Sequence, residues 1–394
     1  MPGTMNQQRR QLVLGAAALS AGVLPVVARA AEPLKVGLIV PMSGPFASTG
    51  RQIDAAVKLF IQQNGASVAG RPVEILLKDD GGVAPDVTKR LAQELVARDK
   101  VQVLAGFGLT PLAFAAAPVA TQAKVPMIVM AAATSSIPQR SPYIVRTGFT
   151  LAQVTAPLAQ WAGKSKIKSV VTLVSDYGPG LDAEKVFVKG FTEGGGKVVD
   201  TLRAPLRNPD YAPFLARVRD LKPDALFVFV PSGEGAAVLK QFTERGLAAA
   251  GVRLICTGDV LDDDLMASIG PASVGVVSSH HYSAAHASAE NKAYVEAFSK
   301  ANPGMRPNFH SVGAYDGMHL LYHALKQTNG DSNGDKLLAA MKGVAWTSVR
   351  GPVSIDAATR DIVQTVYIRK AEASAGSYYN IEFDQVDKVR DPGV

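Results

Sequence analysis

The sequence predicts an α/β protein made of two Rossmann-like lobes, each built around a mainly parallel sheet, and three observations carry that expectation. Its 394 residues are more than one hydrophobic core usually organises, so two lobes are the default. From Lys35 onward, short runs of Val, Ile and Leu alternate with longer amphipathic stretches, the pattern of βα units. The series runs twice, once before Arg146 and again from Leu151 to Val277.

Residues 1–10 are polar and carry Arg9 and Arg10, and residues 12–27 form an apolar run broken by Gly15, Gly22 and Pro25. Ala28 and Ala30 then precede a cleavage point near Ala31, so residues 1–30 read as a signal peptide and place the protein in the periplasm. The run is too short and too glycine-broken for a stable span. The arginine pair before Gln11 leaves both the general and the twin-arginine export routes open.

Strands are expected over residues 35–40, 73–78, 101–106, 126–130, 170–175, 198–202, 225–230 and 253–257, most of them apolar throughout, as suits strands covered on both faces. Between the first two, Ile53, Val57, Phe60 and Ile61 repeat at helical spacing and stop at Asn64 and Gly65. Leu91, Leu95 and Val96 do the same before Lys100. Residues 288–327 read as helical, and alternating runs at 361–369 and 378–383 as closing strands.

Composition excludes several classes. Loss of residues 1–30 removes three arginines and no acid, leaving 38 basic against 34 acidic residues and lowering the formal charge from +7 to +4. The basic residues form no stripe, so no nucleic-acid footprint is visible. Cys256 is the only cysteine, which rules out an internal disulfide and a cysteine zinc site, and it reads as a core residue. His280 and His281 sit side by side near His286, and strand alternation would point the first two to opposite faces, away from a shared metal. A crossover segment edging the cleft fits better, with His281 touching ligand. Asp262, Asp263 and Asp264 lack the spacing of a calcium loop and read as an acidic helix start. No cofactor is indicated. An enzyme is the rival class, but the chain has no G-x-S-x-G elbow, phosphate loop or H-E-x-x-H. A ligand sensor without transport is a third reading.

In open α/β sheets, ligands sit beyond the carboxyl ends of the strands, against helix N-termini. The loops there are hydroxyl-rich and nearly uncharged in the first half: residues 41–50 with Ser43, Phe46 and Thr49, residues 106–111 with Phe107 and Thr110, and residues 131–136 with Ala132 and Thr134. Such groups can bind a carboxylate without a cationic clamp, although a hydroxyl that simply caps its own helix is the bland alternative. The second half offers Asp176 and Tyr177, Ser232 and Glu234, and Asp259. An acid there suits an ammonium or a hydroxyl, and a tyrosine suits an apolar side chain.

The stretches KVGLIVPMSGPFASTG from Lys35, VLAGFGLTPLAFAAAPVATQAKVPMI from Val103, VTLVSDYGPG from Val171, ALFVFVPSGEGAAVLKQF from Ala225 and YDGMHLLYHAL from Tyr315 carry a resemblance. The chain after the signal segment resembles the type I periplasmic binding proteins of the leucine/isoleucine/valine-binding family. The resemblance implies two lobes, 31–148 with 280–347 and 149–279 with 348–394, joined by three crossover strands. It also implies capture of an amino acid or related small carboxylate between the lobes and its delivery to an ABC permease; a monomer is expected. It assigns the α-carboxylate to Thr110, Ala132 and Thr134, a covering ring to Tyr177 and the ammonium to Asp259. Two positions depart from the family: Thr49 replaces a large aromatic, and Pro231 or Ser232 replaces a tyrosine. Smaller walls leave an aromatic or aryl-keto carboxylate open as ligand, with Phe46 and Phe107 as stacking surfaces.

Overall fold

The computed structural model describes residues 32–374 and 376–393; the expected signal segment, residues 1–30, lies outside them. A first sheet has the order β2-β3-β1-β4-β5-β6, from β1 (Leu34–Val40), β2 (Ser67–Val68), β3 (Arg71–Asp79), β4 (Val103–Gly106), β5 (Met127–Val129) and β6 (Ile144–Arg146). All its pairings are parallel except the short β2–β3 hairpin. The helices α1 (Ala47–Asn64), α2 (Pro85–Ala97) and α3 (Thr110–Ala123) connect its strands. Ile53, Val57 and Phe60 of α1 are buried, and the helix stops where Gly65 takes φ +92°, a conformation that costs other residues more.

After α4 (Leu151–Lys164), the second sheet begins with β7 (Ser169–Ser175), α5 (Gly178–Glu193), β8 (Lys197–Ala204), α6 (Ala212–Leu221), β9 (Ala225–Phe229), α7 (Gly235–Glu244), β10 (Arg253–Thr257), α8 (Met266–Ile269) and β11 (Val277–His280). Three helices follow, α9 (Ala289–Ala301), α10 (Phe309–Gln327) and α11 (Gly334–Met341), and then β12 (Ala345–Ser348), β13 (Gly351–Ile355), β14 (Ile362–Ser374) and β15 (Ser377–Val389). The order is β12-β13-β14-β11-β10-β9-β7-β8, with β15 also paired to β14, opposite β11. Strands β7 to β11 run parallel and the C-terminal ones antiparallel. Helix α10 returns to the first sheet's side, where Phe60 of α1 meets Tyr315 and Tyr322 edge-on, each at 5.0 Å. The chain therefore crosses between the sheets three times, at residues 147–150, 281–288 and 342–344.

All eight expected strands form. Those at 73–78 and 198–202 are only partly buried, unlike most of the others. The reason is position: β8 is an edge, and β3 is flanked on one side only by the two-residue β2. Helices α9 and α10 split the single helical stretch expected over 288–327, with Pro303 and Gly304 in the break. Cys256 is a fully buried core residue.

Three arginines, Arg146, Arg350 and Arg369, are among the largest fully buried side chains, and the last two fasten the first two crossings. Arg350 donates to the carbonyls of Thr147 (2.6 Å) and Gly148 (3.1 Å) and pairs with Asp316 at 2.7 Å. Arg369 donates to the Tyr282 carbonyl and stands 3.6 Å from Asp263. Arg146, just before the first crossing, pairs with Asp361 at 2.5 Å. A guanidinium offers five donors in a plane, so a single buried pair can also satisfy several carbonyls. Among the described residues no helix is long and apolar enough to cross a membrane.

Candidate functional site

The carboxyl ends of β1, β4 and β5 face those of β7, β9 and β10 around a narrow cleft with roughly 370 Å³ of empty space, part of it open solvent. Helices α1, α3, α5 and α7 start there, and none of the four has a side-chain cap on its first N–H groups. Elsewhere Thr150, Ser288, Asn308 and Asn333 cap α4, α9, α10 and α11, while α2, α6 and α8 also lack a side-chain cap. Capping therefore does not explain the hydroxyls of the first three loops. The uncapped starts leave donors and positive dipole ends beside the cavity.

From the first sheet's side, Phe46, Thr49, Gly108, Leu109, Thr110 and Ala132 line the wall. Thr110 Oγ1 lies 2.9 Å from Thr134 Oγ1, which stands behind it as a supporting hydroxyl. The Ala132 N–H already donates to the Phe107 carbonyl (2.9 Å), so Ala132 contributes its surface. Arg146 secures this loop from beneath, donating to the Thr134 carbonyl at 2.8 Å and the Ala132 carbonyl at 3.3 Å.

From the second sheet's side come Tyr177, Pro179, Pro231, Ser232 and Asp259. Tyr177 stacks on Phe229 with ring centroids 6.1 Å apart. Burial, reinforced by Asp259, holds its phenol well above the usual range, so it stays protonated. Asp259 Oδ2 accepts from Thr257 Oγ1 at 3.0 Å and lies 3.5 Å from His280 Nε2. Phe149 from the first crossing and Leu151 at the start of α4 close the lining together with His310 near the start of α10.

The structure thus brings Phe46, Thr110, Ala132, Tyr177, Ser232 and Asp259 together, with Thr134 directly behind Thr110. Ser43, Phe107 and His281 stand outside the lining. Ser43 is exposed, on a turn whose N–H groups at Met42 and Ser43 donate to Asp79. Phe107, at φ +67°, packs into the first sheet's core. Strand β11 ends at His280, so strand alternation does not separate the two histidines: their rings lie 4.5 Å apart, both against Phe149. Burial lowers His280 to about 4 and His281 well below its usual value, which leaves both neutral.

The acidic triplet also departs from expectation. Asp262 and Asp263 are 1% exposed, in a connection rather than on a solvated helix start. Asp262 accepts from Ser232 Oγ and from Asn308 Nδ2 (3.0 and 2.9 Å to its two oxygens). Sequence reasoning missed His310, Phe149, Leu151 and Arg146. Asn308 followed by a long helix was a legible cap signal for α10, but nothing local placed that helix start against the cavity.

The family model described as "Periplasmic binding protein" matches residues 33–377. The chain belongs to the periplasmic binding protein family. Family membership implies an extracytoplasmic site of action. Among curated periplasmic binding proteins, "Leu/Ile/Val-binding protein homolog 6" of Brucella abortus (strain 2308) is 42% identical over 381 residues, covering 96% of this chain and 97% of the relative. A solved solute-binding protein of an ABC transporter from Rhodopseudomonas palustris BisB5, in complex with 3,4-dihydroxybenzoic acid, is 59% identical with TM-score 0.89, covering 92% of this chain and 99% of that one. One from Rhodopseudomonas palustris HaA2, in complex with p-hydroxybenzoic acid, is 42% identical with TM-score 0.89, covering 92% and 98%. The neighbours are solute-binding proteins, and the type I two-lobed fold expected from the sequence is the fold they share.

Proposed function

We propose that this periplasmic binding protein captures an aromatic carboxylate of the benzoate class outside the cytoplasmic membrane and hands it, unaltered, to an ABC permease. The observation that carries the reading is the make-up of the cavity wall: uncapped helix starts and neutral hydroxyls, no lysine or arginine, and otherwise mostly flat or apolar groups, Phe46, Leu109, Phe149, Leu151, Tyr177, Pro179 and Pro231. Thr110, by its N–H and by its hydroxyl backed by Thr134, and the N–H groups of Gly178 and Gly180 at the start of α5 are the donors for the carboxylate, Pro111 and Pro179 having none to give. Hydrogen bonds to a charged group contribute about 1.5–3 kcal/mol each, so a few neutral donors replace a cationic clamp. The ring lies between Phe46 and Tyr177. The solved relatives that hold hydroxylated benzoates support this choice.

The lobe division drawn from the sequence, 31–148 with 280–347 against 149–279 with 348–394, makes the three crossings the hinge. Ligand contacts from both sides favour the closed form only as far as they exist there and not in the open form. The protein works as an exported monomer, with residues 1–30 as its signal segment. Asp259 in the wall favours a second reading, an amino acid whose ammonium it would neutralise.

Calorimetric titration of the purified protein with benzoate, 4-hydroxybenzoate and leucine separates the two. Binding of a benzoate at least tenfold tighter than leucine is expected. Substitution Thr110→Val should weaken benzoate binding by about tenfold, the loss of one donor to a charged group. Leucine binding tighter than every benzoate overturns the aromatic reading.

A further inference from the structure

We propose that His310, with Asp259 beside it, reads hydroxyl groups on the ligand's ring and makes the cavity select hydroxylated aromatic acids over the bare ring; this rests on the benzoate-class reading above. His310 lines the cavity and is 6% exposed. Its Nδ1, buried, has no hydrogen-bond partner among the described residues. A buried polar atom left without a partner costs free energy unless something fills the gap, and because the His310 ring lines the cavity a bound ligand can supply that partner.

The chemistry of the pair suits a phenol. Burial lowers the imidazole to about 3, although Asp259 opposes the shift, so it is neutral at any working pH and offers one donor and one acceptor. Asp259 is an acceptor whose Oδ2 is oriented by Thr257. A ring hydroxyl donates to an acceptor here and accepts from the imidazole N–H, and two adjacent hydroxyls engage both residues. A bare ring leaves them unpaired, which is how a polar site rejects an analogue that lacks the group.

The imidazole is held in place through its own helix. Asn308 Oδ1 accepts from the N–H groups of His310 (3.0 Å) and Ser311 (3.2 Å), while Asn308 Nδ2 donates to both oxygens of Asp262. Asp262 in turn accepts from Ser232, which lines the opposite wall. The start of α10 is thereby tied across to the second sheet's side, and the reading group is set before ligand arrives.

The test is calorimetry of the whole protein with 3,4-dihydroxybenzoate, 4-hydroxybenzoate and benzoate, for the native chain, His310→Phe and His310→Gln. The native chain should bind the hydroxylated acids at least tenfold tighter than benzoate. The phenylalanine variant should bring that ratio close to one, and glutamine, which keeps a donor and an acceptor, should restore part of it. If His310→Phe does not fold, His310→Leu carries the same expectation in a smaller side chain. An unchanged ratio in a folded apolar variant, or a native ratio of one, overturns the proposal while leaving the benzoate-class reading standing. Binding of none of the three acids by the native chain sinks both.

Discussion

Asp262 shows how a single carboxyl can be placed against its own preference. Burial raises it to about 7, against the hydrogen bonds of Ser232 and Asn308 that favour the charged form. Its unfolded value is 3.8, so the folded state binds the proton more readily. The stability linked to this group is complete below the unfolded value and is lost as pH rises from about 4 to 7. In Asp262→Asn, the amide can donate to Ser232 Oγ and its carbonyl can accept from Asn308. Thermal denaturation should find the variant more stable than the native chain at pH 7.5, with the advantage gone near pH 4. A constant difference across that range would show that the carboxyl does not titrate there. Arg146 is the opposite case, a charge whose partner must remain. Removing one member of a buried pair costs about 3–5 kcal/mol, whereas replacing both with apolar groups is often neutral. Urea denaturation should therefore find Arg146→Met destabilised by about that amount, and most of the loss recovered in Arg146→Met/Asp361→Leu.

At the scale of elements, the loop after β5 and the start of α5 meet across the mouth of the cavity. Ser135 N–H donates to Asp182 of α5 at 2.9 Å, and a Cβ added at Gly178 would stand 2.5 Å from Thr134 Oγ1. Gly178→Ala should consequently hold the mouth apart, at a cost to the closed form of about 1–3 kcal/mol. Ligand affinity measured by calorimetry should fall by tenfold or more, and the radius of gyration with ligand present should rise in solution scattering. Equal affinity in the variant would mean that the mouth need not close this tightly. The sequence made the elements themselves legible, because runs such as Leu38, Ile39 and Val40 are apolar on both faces and α1 carries its own stop at Gly65. Thr110, Tyr177 and Asp259 were legible for the same reason, since strand ends mark where a crevice opens. Phe107 and His281 show the limit. Whether a loop side chain turns to the crevice or the core depends on one φ value or on where a strand stops, and residue type fixes neither. His310 and Arg146 were invisible because their partners are distant in sequence: Arg146 meets Asp361 across 215 positions.

For the molecule as a whole, two sheets grow from separate stretches of chain, yet the first two of the three places where the chain passes between them are held by guanidinium groups rather than by greasy contact alone. Hinges of this kind turn about fixed carbonyls, at Thr147, Gly148 and Tyr282, so closure can be a rotation that leaves the crossings themselves intact. The arrangement also reconciles a stiff pivot with a responsive mouth: charged, many-bonded groups sit at the crossings, and single hydrogen bonds such as Ser135 to Asp182 sit at the rim.

Those guanidinium ties also set an order of assembly. Two of the three arginines, Arg350 and Arg369, and Asp361, the partner of the third, all come from the C-terminal part of the chain. A polypeptide appearing from its amino end can lay down most of both sheets early, but it cannot fix the loop that bears Ala132 and Thr134 until Asp361 arrives. The fixing of that loop is thus linked to a carboxylate 215 positions further along the chain than Arg146.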